Sequence, residues 1–251
     1  MKTVVPVPFG RIAVREVGVG APVVLVHGGT GVAAVDWAAV VEPLARRYRV
    51  ITFDLRGHGE SVNHGGPLAM VRFGMDLQHV LRHAGVPRAA LVGFSVGGNA
   101  LLKLLVRQPW LATALVTIGA AARGDASRVA KITSGPWPEE LTSIVHAVGT
   151  GPDYWREIRS ALAHDWATNL AIPAEDLARI TCPTLICHGD SDRVQHVDEA
   201  RHLARCIPGA ELFIAPGAGH AVQMERPDLL VPVLEDFLAR ALARPGSRAA
   251  G

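Results

Sequence analysis

The feature that most constrains the fold of this chain is a repeated alternation of short apolar runs with longer helical patterns. The predicted strands are 4–7, 11–16, 23–26, 50–53, 89–92, 114–118, 184–187 and 211–214. The predicted helices of the same region are 36–47 (with Asp36 as its N-cap), 71–84, 99–106, 198–205 and 228–242. Strands that alternate with helices pair mostly in parallel, and the helices then cover both faces of the sheet. The sequence therefore predicts an α/β fold with a mostly parallel central sheet flanked by helices.

This alternation stops in one internal segment, residues 119–180, where strand patterns are absent and three helical stretches remain. We predict these helices at 127–134, 139–149 and 154–169. An all-helical insertion of this kind is expected to form a small lid over the carboxyl ends of the strands, where open α/β sheets bind ligands. The sequence thus predicts a core of 1–118 and 181–243, a lid insertion of 119–180, and a disordered tail of 244–251.

The turn after the fifth of these predicted strands contains the sequence Gly93-Phe94-Ser95-Val96-Gly97-Gly98. A serine between small residues at a strand-to-helix turn fits the G-x-S-x-G nucleophile elbow. Lifting a serine out of such a tight turn strains the backbone, so residues two positions away must lack side chains that would clash. Ser95 is therefore a candidate nucleophile.

Two later loops supply the groups that a serine nucleophile needs. Serine is a weak nucleophile unless a base takes its proton, and that base needs a third group to orient it. Asp190 and Asp192 follow the predicted strand 184–187, and His220 follows the strand 211–214. Both loops lie at the carboxyl ends of predicted strands, the same sheet edge as Ser95, and the order serine, acid, histidine matches the elbow's usual partners.

Several further motifs accompany these residues. They are His27-Gly28-Gly29 after the third strand, the run Asp54-Leu55-Arg56-Gly57-His58-Gly59-Glu60-Ser61 after the fourth, Gly189-Asp190-Ser191-Asp192, and Gly219-His220 followed by Glu225-Arg226-Pro227. With these motifs the chain resembles the α/β-hydrolase family over almost its full length, and least in the lid. The resemblance implies the α/β-hydrolase fold.

The resemblance also implies a role for each matching residue. Ser95 matches the nucleophile, His220 the general base and acid, and Asp192 the orienting carboxylate, with Asp190 as the alternative acid or as a turn-forming residue. The backbone N–H of Val96 matches one oxyanion-hole donor. The second donor is expected from the loop after His27, either Gly29 or, as the less favoured alternative, Thr30.

The substrate pocket is expected to be apolar. The apolar residues that flank catalytic positions are Phe94, Val96, Val222 and Met224. The lid supplies Trp155 and Trp166 as candidate contacts, although packing within the lid is the favoured interpretation of any single tryptophan. The pocket should therefore favour small to medium apolar acyl or alcohol groups over charged ones.

Composition and charge exclude several other functions. The formal net charge is +2 without a Lys/Arg run, so neither nucleic acid nor an anionic membrane is an expected partner.

The N-terminus does not resemble a signal peptide and no apolar run approaches membrane length, which predicts a cytoplasmic protein. The cysteines and histidines show no metal-ligand spacing, and His27, His58 and His188 are expected to be structural. We expect no metal or organic cofactor and a small-molecule substrate, and the sequence leaves a homodimer open.

These residues predict a serine hydrolase that cleaves a carboxylic ester or lactone through an acyl-enzyme. Serine at the elbow argues against the epoxide hydrolases and haloalkane dehalogenases of this fold, which use aspartate there. The fold's carbon–carbon bond hydrolases usually carry Asn before the serine, where this chain has Phe94. Perhydrolysis, thioester or C–C cleavage, and a lyase or cyclase step remain alternatives, as does a non-catalytic small-molecule receptor on the same scaffold.

Overall fold

The computed structural model describes residues 1–123 and 152–243, with side chains from residue 156 onwards in the second range. The predicted helices at 127–134 and 139–149 and the predicted tail at 244–251 lie outside the described residues, so the extent of the lid stays a prediction. The described residues form a nine-stranded sheet with helices on both faces. The predicted α/β-hydrolase fold is confirmed.

The sheet runs in the order β1-β2-β4-β3-β6-β7-β8-β9, with β5 paired to β2. The strands are β1 Lys2–Val7, β2 Gly10–Val17, β3 Pro22–Val26, β4 Arg49–Phe53, β5 Val62–Asn63, β6 Ala89–Phe94, β7 Ala112–Ile118, β8 Thr184–Gly189 and β9 Glu211–Ala215. The pairs involving β2 are antiparallel, whereas β4, β3, β6, β7, β8 and β9 pair in parallel. The parallel strands end at one edge, because Val26 lies opposite both Phe53 and Gly93. The loops after these strands therefore share that edge.

The helices cover the two faces of the sheet. They are α1 Ala33–Asp36, α2 Ala38–Ala45, α3 Met70–His83, α4 Val96–Leu105, α5 Pro152–Asn169, α6 Ala174–Leu177, α7 Val197–Cys206, α8 Val222–Glu225 and α9 Pro227–Ala243, with a 3-10 turn at Pro109–Leu111. Among these described helices, none is long and apolar enough to cross a membrane.

Alternate residues of the central strands feed two separate cores. Val24 and Val26 of β3 pack with α3, α4 and α7, whereas Val23 and Leu25 pack on the opposite face with α2 and α9. Successive side chains of a strand point to opposite faces, so a strand covered by helices on both sides must be apolar at every position. This explains the continuous apolar runs from which the strands were predicted.

Two helix starts differ from the sequence-based predictions. The prediction that Asp36 is the N-cap of a helix over 36–47 is wrong, because the chain turns helical at Ala33 and Asp36 ends α1. The Asp36 carboxylate instead accepts a hydrogen bond from the Gly28 N–H at 2.8 Å. The helix predicted at 99–106 begins earlier, at Val96, and therefore includes Gly97 and Gly98. Helical propensity counts against glycine, but close packing at the turn requires it here.

Candidate active site

Ser95 lies in the turn between β6 and α4 and has an unusual backbone conformation. Its φ is 50° and its ψ is −118°, and apart from Phe9 it is the one non-glycine residue with positive φ in the described part of the chain. Its N–H donates to the Ile118 carbonyl at 2.8 Å, which ties the turn to β7. A residue in this region is strained, and strain of this kind clusters at functional sites.

The glycines on either side of Ser95 let the turn close. A Cβ on Gly93 would lie 2.7 Å from the Cα of Gly98, and a Cβ on Gly97 would lie 2.5 Å from the carbonyl oxygens of Val26 and His27. These are backbone atoms that cannot move aside without distorting β3 or α4. The elbow geometry therefore requires glycine at both positions.

The structure brings Ser95 together with two of the other predicted side chains. His220 Nε2 lies 3.0 Å from Ser95 Oγ, and His220 Nδ1 lies 2.7 Å from Asp192 Oδ2. The imidazole also contacts the Phe94 ring, with the ring centroids 5.1 Å apart. Gly119 also packs against the imidazole, because a Cβ at this position would lie 3.0 Å from His220 Cε1. Sequence reasoning missed Gly119, whose only signal was its position directly after a predicted strand.

The loop that carries His220 is held by the carboxylate of Glu225. This carboxylate accepts hydrogen bonds from the Gly219 N–H at 2.6 Å and from the Ala221 N–H at 3.0 Å. Arg226 donates to the Pro216 carbonyl at 2.8 Å. The Glu225-Arg226 pair therefore fixes the backbone on both sides of the histidine, which gives this sequence motif a physical role.

The side chain of Asp192 is fully buried, and its two carboxylate oxygens have different partners. Oδ1 accepts the N–H groups of Val194 at 2.7 Å and Gln195 at 2.9 Å, while Oδ2 faces His220 and lies 3.3 Å from His188 Nε2. Burial by itself would raise the pKa of Asp192, but the His220 contact and the Gln195 N–H outweigh it and lower the pKa overall. Asp192 is thus an anion that faces the imidazole.

Asp190, the alternative acid, occupies a different environment. It is exposed and accepts hydrogen bonds from the Gly217 N–H at 3.0 Å and the Ser191 hydroxyl at 2.8 Å. These contacts tie together the loops after β8 and β9. The position fits the turn-forming role that was the second interpretation of Asp190.

The loop after β3 is anchored by two buried histidines. The Leu55 N–H donates to His27 Nε2 at 2.7 Å, so His27 Nδ1 carries the proton and donates to the Gly28 carbonyl at 2.6 Å. His58 Nε2 lies 3.0 Å from the Gly29 carbonyl. The two candidate oxyanion donors are the N–H groups of the Gly28–Gly29 and Gly29–Thr30 peptide bonds. The carbonyl group of each of these peptide bonds is held by a histidine, so the choice between the Gly29 and Thr30 donors stays open.

These buried histidines predict that the protein loses stability in acid. Burial, with a smaller contribution from His58, lowers the pKa of His27 from 6.5 to about 3. Burial also lowers the pKa values of His58 and His188. Below pH 6.5 the unfolded chain binds protons that the folded chain does not, so the free energy of unfolding must fall as the pH drops. For His27 alone the loss is about 3 kcal/mol two pH units below its ordinary pKa.

Urea unfolding at a series of pH values tests this prediction. Glutamine has an acceptor oxygen and a donor nitrogen but does not titrate. In His27→Gln the free energy of unfolding should therefore fall less steeply as the pH drops. The control is His83→Gln, an exposed histidine at the end of α3, which should leave this fall unchanged. An unaltered fall in His27→Gln would show that His27 does not carry the effect.

A cavity of about 290 Å³ opens beside Ser95 and His220. The predicted pocket residues Phe94 and Trp166 line it, together with Gly29, Thr30, Val96 and Leu162 of the described residues. Val222 does not contribute: the structure places it fully buried in the core beneath α9, and its neighbours Ala221 and Met224 line the cavity instead. Ala221 directly precedes α8 and Met224 is the third residue of that helix, whereas Val222 and Gln223 between them are fully buried. The side chain of Trp155 lies outside the described residues.

Sequence reasoning missed several polar residues of this cavity, namely Asp36, Asn99, Arg159 and Gln195. No motif marks them, because each is brought to the cavity by the packing of its own helix or loop. Within residues 1–123 and 152–243, no group of three or more His, Cys, Asp or Glu side chains is arranged to hold a metal ion.

Comparison with known proteins agrees with this geometry. A sequence model described as the alpha/beta hydrolase family matches residues 23–233. The chain belongs to the alpha/beta hydrolase family. A curated relative of this alpha/beta hydrolase is the 2-hydroxy-6-oxo-2,4-heptadienoate hydrolase of Pseudomonas putida, which is 30% identical over 254 aligned residues that cover 90% of this chain and 91% of the relative.

Solved structures share the fold of this alpha/beta hydrolase. A meta-cleavage product hydrolase from Pseudomonas fluorescens superposes with a TM-score of 0.84 at 21% identity, covering 95% of this chain and 98% of that one. A thermophilic esterase from Thermogutta terrifontis gives a TM-score of 0.80 at 24% identity, covering 96% and 99%. These structures show the fold, and the Pseudomonas putida relative supports hydrolase activity without selecting the bond that this chain cleaves.

Proposed function

We propose that the protein is a serine hydrolase that cleaves a small to medium apolar carboxylic ester or lactone through an acyl-enzyme on Ser95. The observation that carries this proposal is the hydrogen-bonded chain from Ser95 through His220 to Asp192. The strained backbone of Ser95 supports it further, because a protein that only binds its ligand has no need of a strained serine.

Acylation follows from these contacts. Ser95 Oγ attacks the substrate carbonyl carbon while its proton passes to His220 Nε2, and the negative charge of Asp192 stabilises the resulting imidazolium. The tetrahedral intermediate collapses, its C–O bond to the alcohol breaks, and His220 returns the proton to the departing alkoxide oxygen. With a lactone the released alcohol remains part of the acyl group.

Deacylation repeats the same proton transfers with water. His220 Nε2 takes a proton from a water molecule as its oxygen attacks the acyl carbon, and then returns a proton to Ser95 Oγ as the ester bond to the enzyme breaks. The free acid leaves and the serine is restored. One imidazole thus acts alternately as base and acid, which requires it to be neutral at the start of each half-reaction.

Two backbone N–H groups are proposed to hold the oxyanion. Val96 is the first residue of α4, so its N–H has no acceptor within the helix and joins the positive end of the helix dipole. Gly29 and Thr30 line the same cavity on the facing loop, and Gly29 packs so closely that a Cβ would lie 2.7 Å from Val96 Cγ2. We propose Gly29 as the second donor. Loss of one such donor typically reduces the rate by about a hundredfold or more.

Cleavage of a carbon–carbon bond is the second candidate function. It is favoured by the similarity to the Pseudomonas putida relative, whose name describes hydrolysis of a 2-hydroxy-6-oxo-2,4-dienoate. Attack of Ser95 on a ketone carbonyl would use the same three side chains, with a carbanion in place of the alkoxide. Phe94 before the serine favours the ester or lactone.

A substrate panel distinguishes the two candidates. The cavity should accept p-nitrophenyl butyrate and hexanoate with kcat/KM values about tenfold above that of the dodecanoate, since a long chain exceeds its volume. Lactones and 2-hydroxy-6-oxo-2,4-heptadienoate complete the panel. A kcat/KM for the dienoate above that of every ester and lactone would favour the second function, and a preference for charged or polymeric esters would contradict the apolar pocket.

A further inference from the structure

A buried carboxyl group that the proposed mechanism does not use lines the active-site cavity. Asp36 ends α1, is only 5% exposed, and borders the same cavity as Ser95 and His220. Carboxyl groups are seldom buried without an ion-pair partner. In the described part of the chain no Lys or Arg pairs with Asp36, so its location requires an explanation.

Asp36 contacts both ends of the loop that carries the candidate oxyanion donors. Its Oδ2 accepts the Gly28 N–H at 2.8 Å. Its Oδ1 lies so close to Gly31 that a Cβ there would approach it to 2.2 Å. The carboxyl group therefore fills the concave side of residues 28–31, while His27 and His58 hold the carbonyls of Gly28 and Gly29. A shift of Asp36 would move the N–H groups of Gly29 and Thr30.

The charge of Asp36 matters because an oxyanion must form on the other side of this loop. Burial raises the pKa of Asp36 to about 7; Asp54 acts in the same direction, while the Gly28 N–H and His220 act against it. His220 and Asp54 are thus the titratable groups that act on Asp36, and Arg159 and Glu225 are the other charged residues that line the same cavity. A carboxylate at this place would repel a developing oxyanion, since charges interact strongly in a site with little water.

We propose that Asp36 is a positioning residue for the oxyanion loop and that it acts in its neutral form. This inference rests on the proposed function, because it needs an oxyanion to form at Ser95. The neutral carboxyl still accepts the Gly28 N–H, so the loop keeps its shape and the site carries no competing negative charge. Ionisation of Asp36 then weakens oxyanion stabilisation.

The test is the pH dependence of kcat for p-nitrophenyl butyrate in the wild type, Asp36→Asn and Asp36→Ala, from about pH 5.5 to about pH 9. The wild type should lose about tenfold in kcat as the pH rises past 7. Asn keeps the acceptor but cannot ionise, so Asp36→Asn should match the wild type within about threefold near pH 6 and should show no decline in kcat at higher pH. Asp36→Ala leaves the Gly28 N–H unpaired and should lose ten- to a hundredfold in kcat at every pH, with KM within about threefold.

Asp165→Asn is the control for replacing a buried carboxyl group with an amide. Asp165 is also buried and accepts a backbone N–H, that of Met70 at 2.8 Å, but it does not line the cavity. Its pH profile should follow the wild type. A decline in Asp36→Asn equal to that of the wild type, or the absence of a decline in the wild type, overturns the neutral-form inference.

Two further measurements separate the causes of failure. A kcat equal to that of the wild type in a folded Asp36→Ala variant overturns the positioning role. If thermal melting shows that this variant is unfolded, the pH profile of Asp36→Asn alone tests the proposal. Turnover that persists in Ser95→Ala would instead refute the proposed function. Loss of turnover in Ser95→Ala together with no effect of Asp36→Asn would refute only the inference about Asp36.

Discussion

Replacing Ser95 with alanine should reduce turnover of p-nitrophenyl butyrate by about 10,000-fold or more. Alanine removes the Oγ that forms the acyl-enzyme and leaves water as the only nucleophile, while the oxyanion donors and the cavity remain. In serine hydrolases generally, removal of the nucleophile costs up to about a million-fold in kcat, and the residual rate comes from binding and the oxyanion hole. The measurement is kcat under saturating substrate, with thermal melting to show that the variant folds.

Ser191→Ala is the control for the loss of a hydroxyl. Ser191 is exposed and lies beside Asp192, but its hydroxyl donates to Asp190 rather than to the active site. Its kcat should stay within about threefold of the wild type, because removing a surface hydroxyl has little effect. Substantial turnover in Ser95→Ala, beyond contamination by wild-type enzyme, would contradict the acyl-enzyme mechanism.

Asp192→Asn should lower kcat by about 10,000-fold because it forces His220 into the wrong tautomer. The N–H groups of Val194 and Gln195 require an oxygen at the Oδ1 position, so the new amide nitrogen must occupy the Oδ2 position and face His220. Nδ1 of the imidazole then becomes an acceptor, so Nε2 carries the ring's proton and cannot accept the proton of Ser95. The same tautomer effect reduces serine protease catalysis by about this factor.

Asp190→Asn provides a matched comparison two positions away. Asp190 is exposed and its hydrogen bonds go to Ser191 and Gly217, so the same substitution there should change kcat by less than about threefold. KM for the ester should change little in either variant, since neither carboxylate touches the acyl pocket. A large loss in Asp190→Asn with normal kcat in Asp192→Asn would assign the orienting role to Asp190.

Much of the fold and of the candidate site could be predicted from sequence because both depend on local patterns. Buried parallel strands need continuous apolar runs, and these marked the central strands of the sheet. Among the described strands, only the two-residue β5 was not predicted. Ser95, Asp192 and His220 could be found because each follows a strand at the edge where the strand ends converge. The parallel register then brings residues far apart in the chain within hydrogen-bond distance.

The remaining features depend on packing that no local pattern reveals. Asp36 precedes a helical segment, and an aspartate in that context usually suggests an N-cap, yet tertiary contacts direct its carboxyl toward Gly28. Val222 lies two residues after His220, but a short helical turn points it into the core. The cavity is lined there by Met224, as predicted, and by Ala221, which was not predicted. In both cases the direction of one side chain is set by neighbours distant in sequence.

The most direct test of the acyl-enzyme account is the mass of the intact protein after treatment with a fluorophosphonate, followed by peptide mapping. The Oγ of an activated serine attacks the phosphorus of such a probe and displaces fluoride, which leaves a phosphonate ester whose P=O oxygen lies where the oxyanion would form. The account predicts one adduct per chain, located on Ser95, accompanied by complete loss of ester turnover and absent from Ser95→Ala. An enzyme that hydrolyses esters but forms no adduct on Ser95, or forms it at another residue, would contradict the account.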